Sequence, residues 1–167
     1  HVPEDVAVFV DPEAMRATVV DIFTALGMSG EHARQSADVL LYADVHGIDT
    51  HGVSNMLRVY VQRIQDGEIN LKPKWRIIRE APAACTIDSD GGHGGVIGPE
   101  AMREAIARGK KFGVGAVTVS NGGHFGAAAY TAAMALEHDM IGIAMTAGGM
   151  ALAPTFGAEA LVGLNPI

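Results

Sequence analysis

The 167-residue chain contains one cysteine, one tryptophan and few aromatic residues, 5% in all. A single thiol, Cys85, excludes an intrachain disulfide framework and a cysteine-rich zinc site, and it fits a reducing compartment. Basic residues are scarce as well: 12 Lys and Arg stand against 19 Asp and Glu, for a net charge of -7. Nucleic-acid binding needs a basic stripe to neutralise phosphates, so no nucleic-acid partner is expected. A small anionic ligand is still admissible, because a local pocket can be positive on an acidic protein. No apolar run reaches the length of a membrane span, and His1-Val2-Pro3-Glu4-Asp5 carries no basic-then-apolar leader. The expectation is a cytoplasmic protein with no membrane contact. The serine-hydrolase elbow GxSxG is missing. Hydrophobic residues make up 49% of the chain and charged ones 19%, so a sizeable core is expected rather than disorder.

The first third reads as helical. Asp11 followed by Pro12 is an N-cap with proline at the first helical position, and Met15, Val19, Ile22, Phe23 and Leu26 recur at helical spacing before Gly27. Ser29 opens a second helix with Ala33, Ala37, Leu40 and Leu41 on one face, and a third runs from Ser54 to about Asp66. Leu71-Lys72-Pro73-Lys74 reads as a linker, dividing the chain into a helical segment over residues 1–74 and an α/β segment over residues 75–167. In the α/β segment, 75–80, 84–88, 114–119 and 140–146 read as strands. Helices are expected over Glu100–Lys111 and Gly126–Glu137, so strand–helix–strand order allows parallel neighbours.

Two histidine turns carry the chemistry. Asp44-Val45-His46-Gly47-Ile48-Asp49-Thr50-His51-Gly52-Val53 lies between two helices, and Ser120-Asn121-Gly122-Gly123-His124-Phe125-Gly126 follows a strand. Ligand sites in α/β sheets gather at the carboxyl ends of strands, and imidazole titrates near neutrality. His51 and His124, oriented by Asp49, Thr50 and Asn121, could therefore exchange a proton with a hydroxyl or carbonyl oxygen. The residues alone leave carbonyl/alcohol redox, isomerisation and hydrolysis open. His46 and His51 do not have the spacing of an HExxH zinc site, and no metal is expected. Gly91-Gly92-His93-Gly94-Gly95-Val96-Ile97-Gly98 fits neither GxGxxG nor a P-loop, and reads as a tight or flexible connection before a helix. His32 and His138 fall at helix ends and read as solvated side chains.

The order of motifs resembles one family. Tyr42-Ala43-Asp44-Val45-His46-Gly47-Ile48-Asp49-Thr50-His51-Gly52-Val53 is similar to the A-D-x-R-G-x-x-S-H-G-V signature of the type 2 malate/L-lactate dehydrogenases. That group includes sulfolactate and ureidoglycolate dehydrogenases. Asp90-Gly91-Gly92-His93-Gly94-Gly95 resembles its D-G-x-x-G-x-G turn. Asn121-Gly122-Gly123-His124-Phe125-Gly126-Ala127-Ala128 is similar to N-x-x-H-F-G-A-A, and Gly163-Leu164-Asn165-Pro166-Ile167 to G-T-N-P-I.

The resemblance implies an NAD- or NADP-dependent oxidoreductase acting on a small anionic 2-hydroxy or 2-oxo acid. It also implies a homodimer of non-Rossmann α/β (α+β) fold: a helical N-terminal part packed with a mixed, largely antiparallel sheet domain. By motif, His51 and His124 take the catalytic roles, Thr50, Asn55 and Arg58 contact substrate, and Asn121, Thr146, Ala147 and Gly148 contact the cofactor. Family members run longer, and their C-terminal portion supplies much of the cofactor site. Asn55 stands where arginine is frequent, with Arg58 about one helical turn later, and His46 replaces the arginine of R-G. Other classes remain as alternatives: a non-catalytic binding or assembly module on the same scaffold, or a metal-dependent hydrolase.

Overall fold

The computed structural model describes residues 6, 8–149 and 151–167; the reading of His1–Asp5 lies outside them. Helix α1 spans Pro12–Ala25 and starts as its cap dictates, with Asp11 Oδ1 accepting the Ala14 N–H at 2.8 Å. Helix α2 spans Gly30–Val45, capped by Ser29 Oγ on the His32 N–H. Val19 and Phe23 of α1 meet Ala33, Ala37, Leu40 and Leu41 of α2 in a buried cluster that Tyr60 completes. The apolar faces read from 3.6-residue spacing are the faces that pack.

The third helix is shorter than its sequence suggests. A 3-10 turn over Asp49–His51 and a π turn over Val53–Leu57 precede α3, Arg58–Gln65. A π turn holds one residue more than an α turn, so it rotates the following helix by about 100° relative to a plain continuation.

Strands β1 (Arg76–Ala81), β2 (Ala84–Asp88) and β3 (Ala116–Ser120) form a sheet in that order. The β1–β2 pair is antiparallel with an irregularity between Ile77 and Arg79, and β2–β3 is parallel, Ala84 facing Ala116 and Asp88 facing Ser120. The sheet is thus mixed, with one pair of each kind. Helix α4, Gly94–Phe112, makes the crossover between the parallel strands. The nearly buried Arg108 of α4 binds Glu80 at 2.7 Å, Glu104 at 2.8 Å and the Ala81 carbonyl at 2.7 Å, tying the β1–β2 turn to the helix.

Two expectations are corrected here. Helix α4 begins at Gly94, six residues before Glu100, so Gly94, Gly95 and Gly98 lie inside the helix rather than in a connection. Burial of Val96, Ile97 and Pro99 offsets the poor helix propensity of glycine and proline. The segment 140–146 carries no regular secondary structure and joins no named strand among the described residues. Its alternating Ile141, Ile143 and Met145 remain exposed, Ile141 at 92%. The helix expected over 126–137 is α5, Ala128–Ala133, followed by a separate 3-10 turn at Leu136–His138.

Candidate active site

The two histidine turns come together. The rings of His51 and His124 stack with centroids 5.4 Å apart and planes at 21°. His51 closes the 3-10 turn, with Thr50 Oγ1 2.8 Å from its Nδ1. The turn is clamped from α2: Asp44 Oδ2 accepts the Val53 N–H at 2.9 Å. A side chain at Gly52 would overlap that carboxylate, so the G of H-G-V is a packing requirement.

His124 lies in the loop after β3. Asn121 turns the chain there with φ of 55°, and its carbonyl accepts a short hydrogen bond from Ser89 Oγ. The Asn121 amide lies 3.4 Å from Asp88 Oδ1. Gly94, the first residue of α4, allows the loop to sit close, since a Cβ there would overlap the His124 carbonyl. The His124 Nδ1 lies 2.7 Å from the hydroxyl of Tyr60 and 3.3 Å from the Gly126 N–H. Burial, and then the charges of His51 and Arg63, hold the His124 pKa below the ordinary imidazole value.

Beneath this pair lies a third histidine. His93, at the N-cap of α4, is 2% exposed and sets its ring edge-on to Tyr60, centroids 4.5 Å apart. Its Nδ1 is 3.1 Å from Ser36 Oγ, while its Nε2 has no hydrogen-bond partner among the described residues. Burial, with the charge of His124 as a smaller cause, pushes its pKa down to about 4.

A cavity of about 170 Å³ opens beside His124, lined among others by Tyr60, Arg63, Glu68, Asn121 and the backbone of Gly122 and Gly123. Arg63 is the cation in that lining, and it pairs loosely with Glu68 at 3.8 Å. Asn55 and Arg58 do not line it. Asn55 turns its amide back towards the Asp49 carbonyl at 3.5 Å, and Arg58 is exposed on the first turn of α3. Thr146 and Gly148 donate their N–H groups to Pro166 and Leu164, away from the cavity lining.

His46 leaves the group. It caps α2, stacks on Tyr42 at 3.9 Å and keeps its Nδ1 on the Tyr42 carbonyl. Among the described residues, no three His, Cys, Asp or Glu side chains gather to hold a metal ion. No described helix is long and apolar enough to cross a membrane. Tyr60, Arg63 and His93 were not named as site residues: Tyr60 and Arg63 lie in a helix whose spacing reads as scaffold and reach this face after the π turn, and His93 lies in the glycine stretch read as a connection.

A family model described as malate/L-lactate dehydrogenase matches residues 10–167. The chain belongs to that family. It is 47% identical over 149 residues to a malate dehydrogenase of Pyrococcus abyssi, a match covering 89% of this chain and 41% of that protein. It is 40% identical to an L-sulfolactate dehydrogenase of Methanocaldococcus jannaschii, covering 93% of this chain and 45% of that protein. The solved malate dehydrogenase of Pyrococcus horikoshii OT3 superposes with a TM-score of 0.93 at 41% identity, covering 99% of this chain and 47% of that one. The chain thus spans under half the length of these malate/L-lactate dehydrogenase relatives.

Proposed function

We propose that the full-length protein is an oxidoreductase that interconverts a small 2-hydroxy acid and its 2-oxo acid with NAD or NADP. The stacked His51–His124 pair carries this reading: two imidazoles from turns far apart in sequence meet beside a small cavity that includes a guanidinium. A nicotinamide, when bound, supplies or accepts the hydride. His124, uncharged near neutral pH and polarised through its Nδ1, takes or returns the hydroxyl proton. His51, fixed by Thr50, stacks on His124 outside the cavity lining and would hold that ring in place.

Arg63 is our assignment for the substrate carboxylate, which a guanidinium grips bidentately. Thr50 and Arg58 remain proposed substrate contacts on the His51 side. The cavity has room for a small acid and not for a dinucleotide, so the cofactor lies along its open rim. Asn121 lines that rim with a free glycine backbone next to it, which suits close approach of a planar ring. Asn121, Thr146, Ala147 and Gly148 would hold the cofactor together with residues of the longer chain. The exposed apolar residues Ile141, Ile143, Met145 and Phe156 support a homodimer, and we keep 1–74 and 75–167 as its proposed functional divisions.

Oxidation of NADH or NADPH by a panel of 2-oxo acids, oxaloacetate and sulfopyruvate included, tests the reading in the full-length protein. His51→Ala and His124→Ala should each cut kcat on the order of 10²- to 10⁴-fold, the range of lost acid–base catalysis. Calorimetry showing a folded protein with no affinity for either cofactor would overturn it.

A further inference from the structure

We propose that Tyr60 is the positioning residue of His124, holding its Nδ1 so that Nε2 is the nitrogen that meets the substrate. This rests on the reading of His124 as the proton-transfer residue and adds what fixes its ring. Tyr60 is 2% exposed, yet its hydroxyl lies 2.7 Å from His124 Nδ1. Burying a phenol stabilises the fold through its ring, but an unpaired hydroxyl in that setting would be costly, so the bond to His124 is strongly kept.

The phenol cannot swing away. The His93 ring stands edge-on to it at 86°, and His93 is itself held by Ser36 and packed against Phe23. The line Ser36–His93–Tyr60–His124 thus runs from the helical core to the cavity rim. The π turn over Val53–Leu57 matters here, because without its extra residue the position facing His124 would fall to Val59.

A hydroxyl suits Nδ1 in both states of the ring. It donates to a bare Nδ1 when the proton sits on Nε2, and it accepts from Nδ1–H when Nε2 is bare or when both nitrogens carry protons. The Gly126 N–H, 3.3 Å from the same nitrogen, favours the bare Nδ1 in the resting ring; in the reacting ring Nδ1 carries the proton and the hydroxyl accepts from it throughout. The ring plane stays put, and Nε2 alone changes hands with the substrate oxygen: the proton that leaves the hydroxyl becomes Nε2–H, and the reverse step returns it. Phenylalanine keeps the packing and loses this function.

The experiment is Tyr60→Phe in the full-length protein beside His124→Gln, with imidazole ¹⁵N spectra of wild type and variant. Tyr60→Phe should lower kcat by about tenfold to a hundredfold while KM stays within about twofold, and should move the acid limb of the pH profile. The His124 Nδ1 resonance should shift, and those of His46 and His138 should not. The wild-type spectrum alone tests the bond if the variant folds poorly: a His124 Nδ1 without a hydrogen-bond signature overturns the proposal. So does a folded Tyr60→Phe enzyme with wild-type kcat and pH profile while His124→Gln is inactive. An active His124→Gln enzyme instead removes the proton-transfer reading, and with it the role given to Tyr60.

Discussion

His93 should make the protein acid-sensitive in a defined window. Its ring is 2% exposed, its Nε2 has no partner among the described residues, and its pKa is pushed down to about 4 by burial. In the unfolded chain the same imidazole titrates near 6.5. Between those values the unfolded state binds more protons than the folded state, so stability falls as the pH is lowered from about 6.5 to about 4 and levels off below. The window covers about 2.5 pH units at about 1.4 kcal/mol each, so His93 alone accounts for about 3 kcal/mol. His124, shifted in the same direction, adds to the slope, and the carboxylate Asp88, held low by the Asp90 N–H, adds to it at lower pH. Asp38 acts oppositely, since burial raises its pKa. The clean measurement is therefore a difference. Urea unfolding of wild type and His93→Gln at pH 7.5, 6.5, 5.5 and 4.5 should give a gap that changes by about 2.5 kcal/mol across the series. The His93 ring proton should titrate near 4 in parallel. Superimposable pH dependences for the two proteins, or a His93 midpoint near 6.5, would refute the buried-neutral assignment.

Gly94→Ala should push the His124 loop outward, because the new Cβ overlaps the His124 carbonyl; a loss of about 1–3 kcal/mol is expected from overpacking, read as a lower urea midpoint. Activity in that variant should fall further than stability explains, as His124 leaves Tyr60. Arg63→Leu should raise KM for the 2-oxo acid by about tenfold to a hundredfold with a smaller change in kcat, the loss expected for one charged hydrogen bond. It should also bring the acid limbs of kcat and kcat/KM closer together. An unchanged KM would move the carboxylate contact elsewhere, Arg58 first.

The helical half was legible because it obeys simple spacing. Asp11-Pro12 and Ser29 mark starts by their caps, and Val19, Phe23, Ala37 and Leu40 lie on the faces that pack. Strand β2 was legible too, with its ends at Ala84 and Asp88. The segment 140–146 misled because alternation reports which side chains share a face and says nothing about whether a neighbouring strand is present. The glycines at 94, 95 and 98 misled in the other direction, since propensity is a weak prior where a helix start is buried. At the site, His51 and His124 stood out by residue type and turn context. Tyr60 and Arg63 did not, because their orientation depends on a π turn that leaves no pattern in the sequence.

In the proposed reaction, the charge balance around His124 would make the site depend on its substrate's charge. Burial, His51 and Arg63 all lower its proton affinity, which favours the neutral imidazole in the empty site. In the proposed reaction that state would favour oxidation of the hydroxy acid. Reduction needs the reverse, a ring that carries a proton to give. An anionic substrate entering beside Arg63 supplies it: the carboxylate cancels the guanidinium's field at His124 and adds an opposite charge within a few ångströms, and both effects raise the ring's proton affinity. In the proposed reaction the Tyr60 hydroxyl would accept from Nδ1–H in both states and stabilise the imidazolium formed when Nε2 gains its proton. If the proposed roles hold, binding of the acid and protonation of His124 would be linked, and one cavity would serve both directions of the reaction.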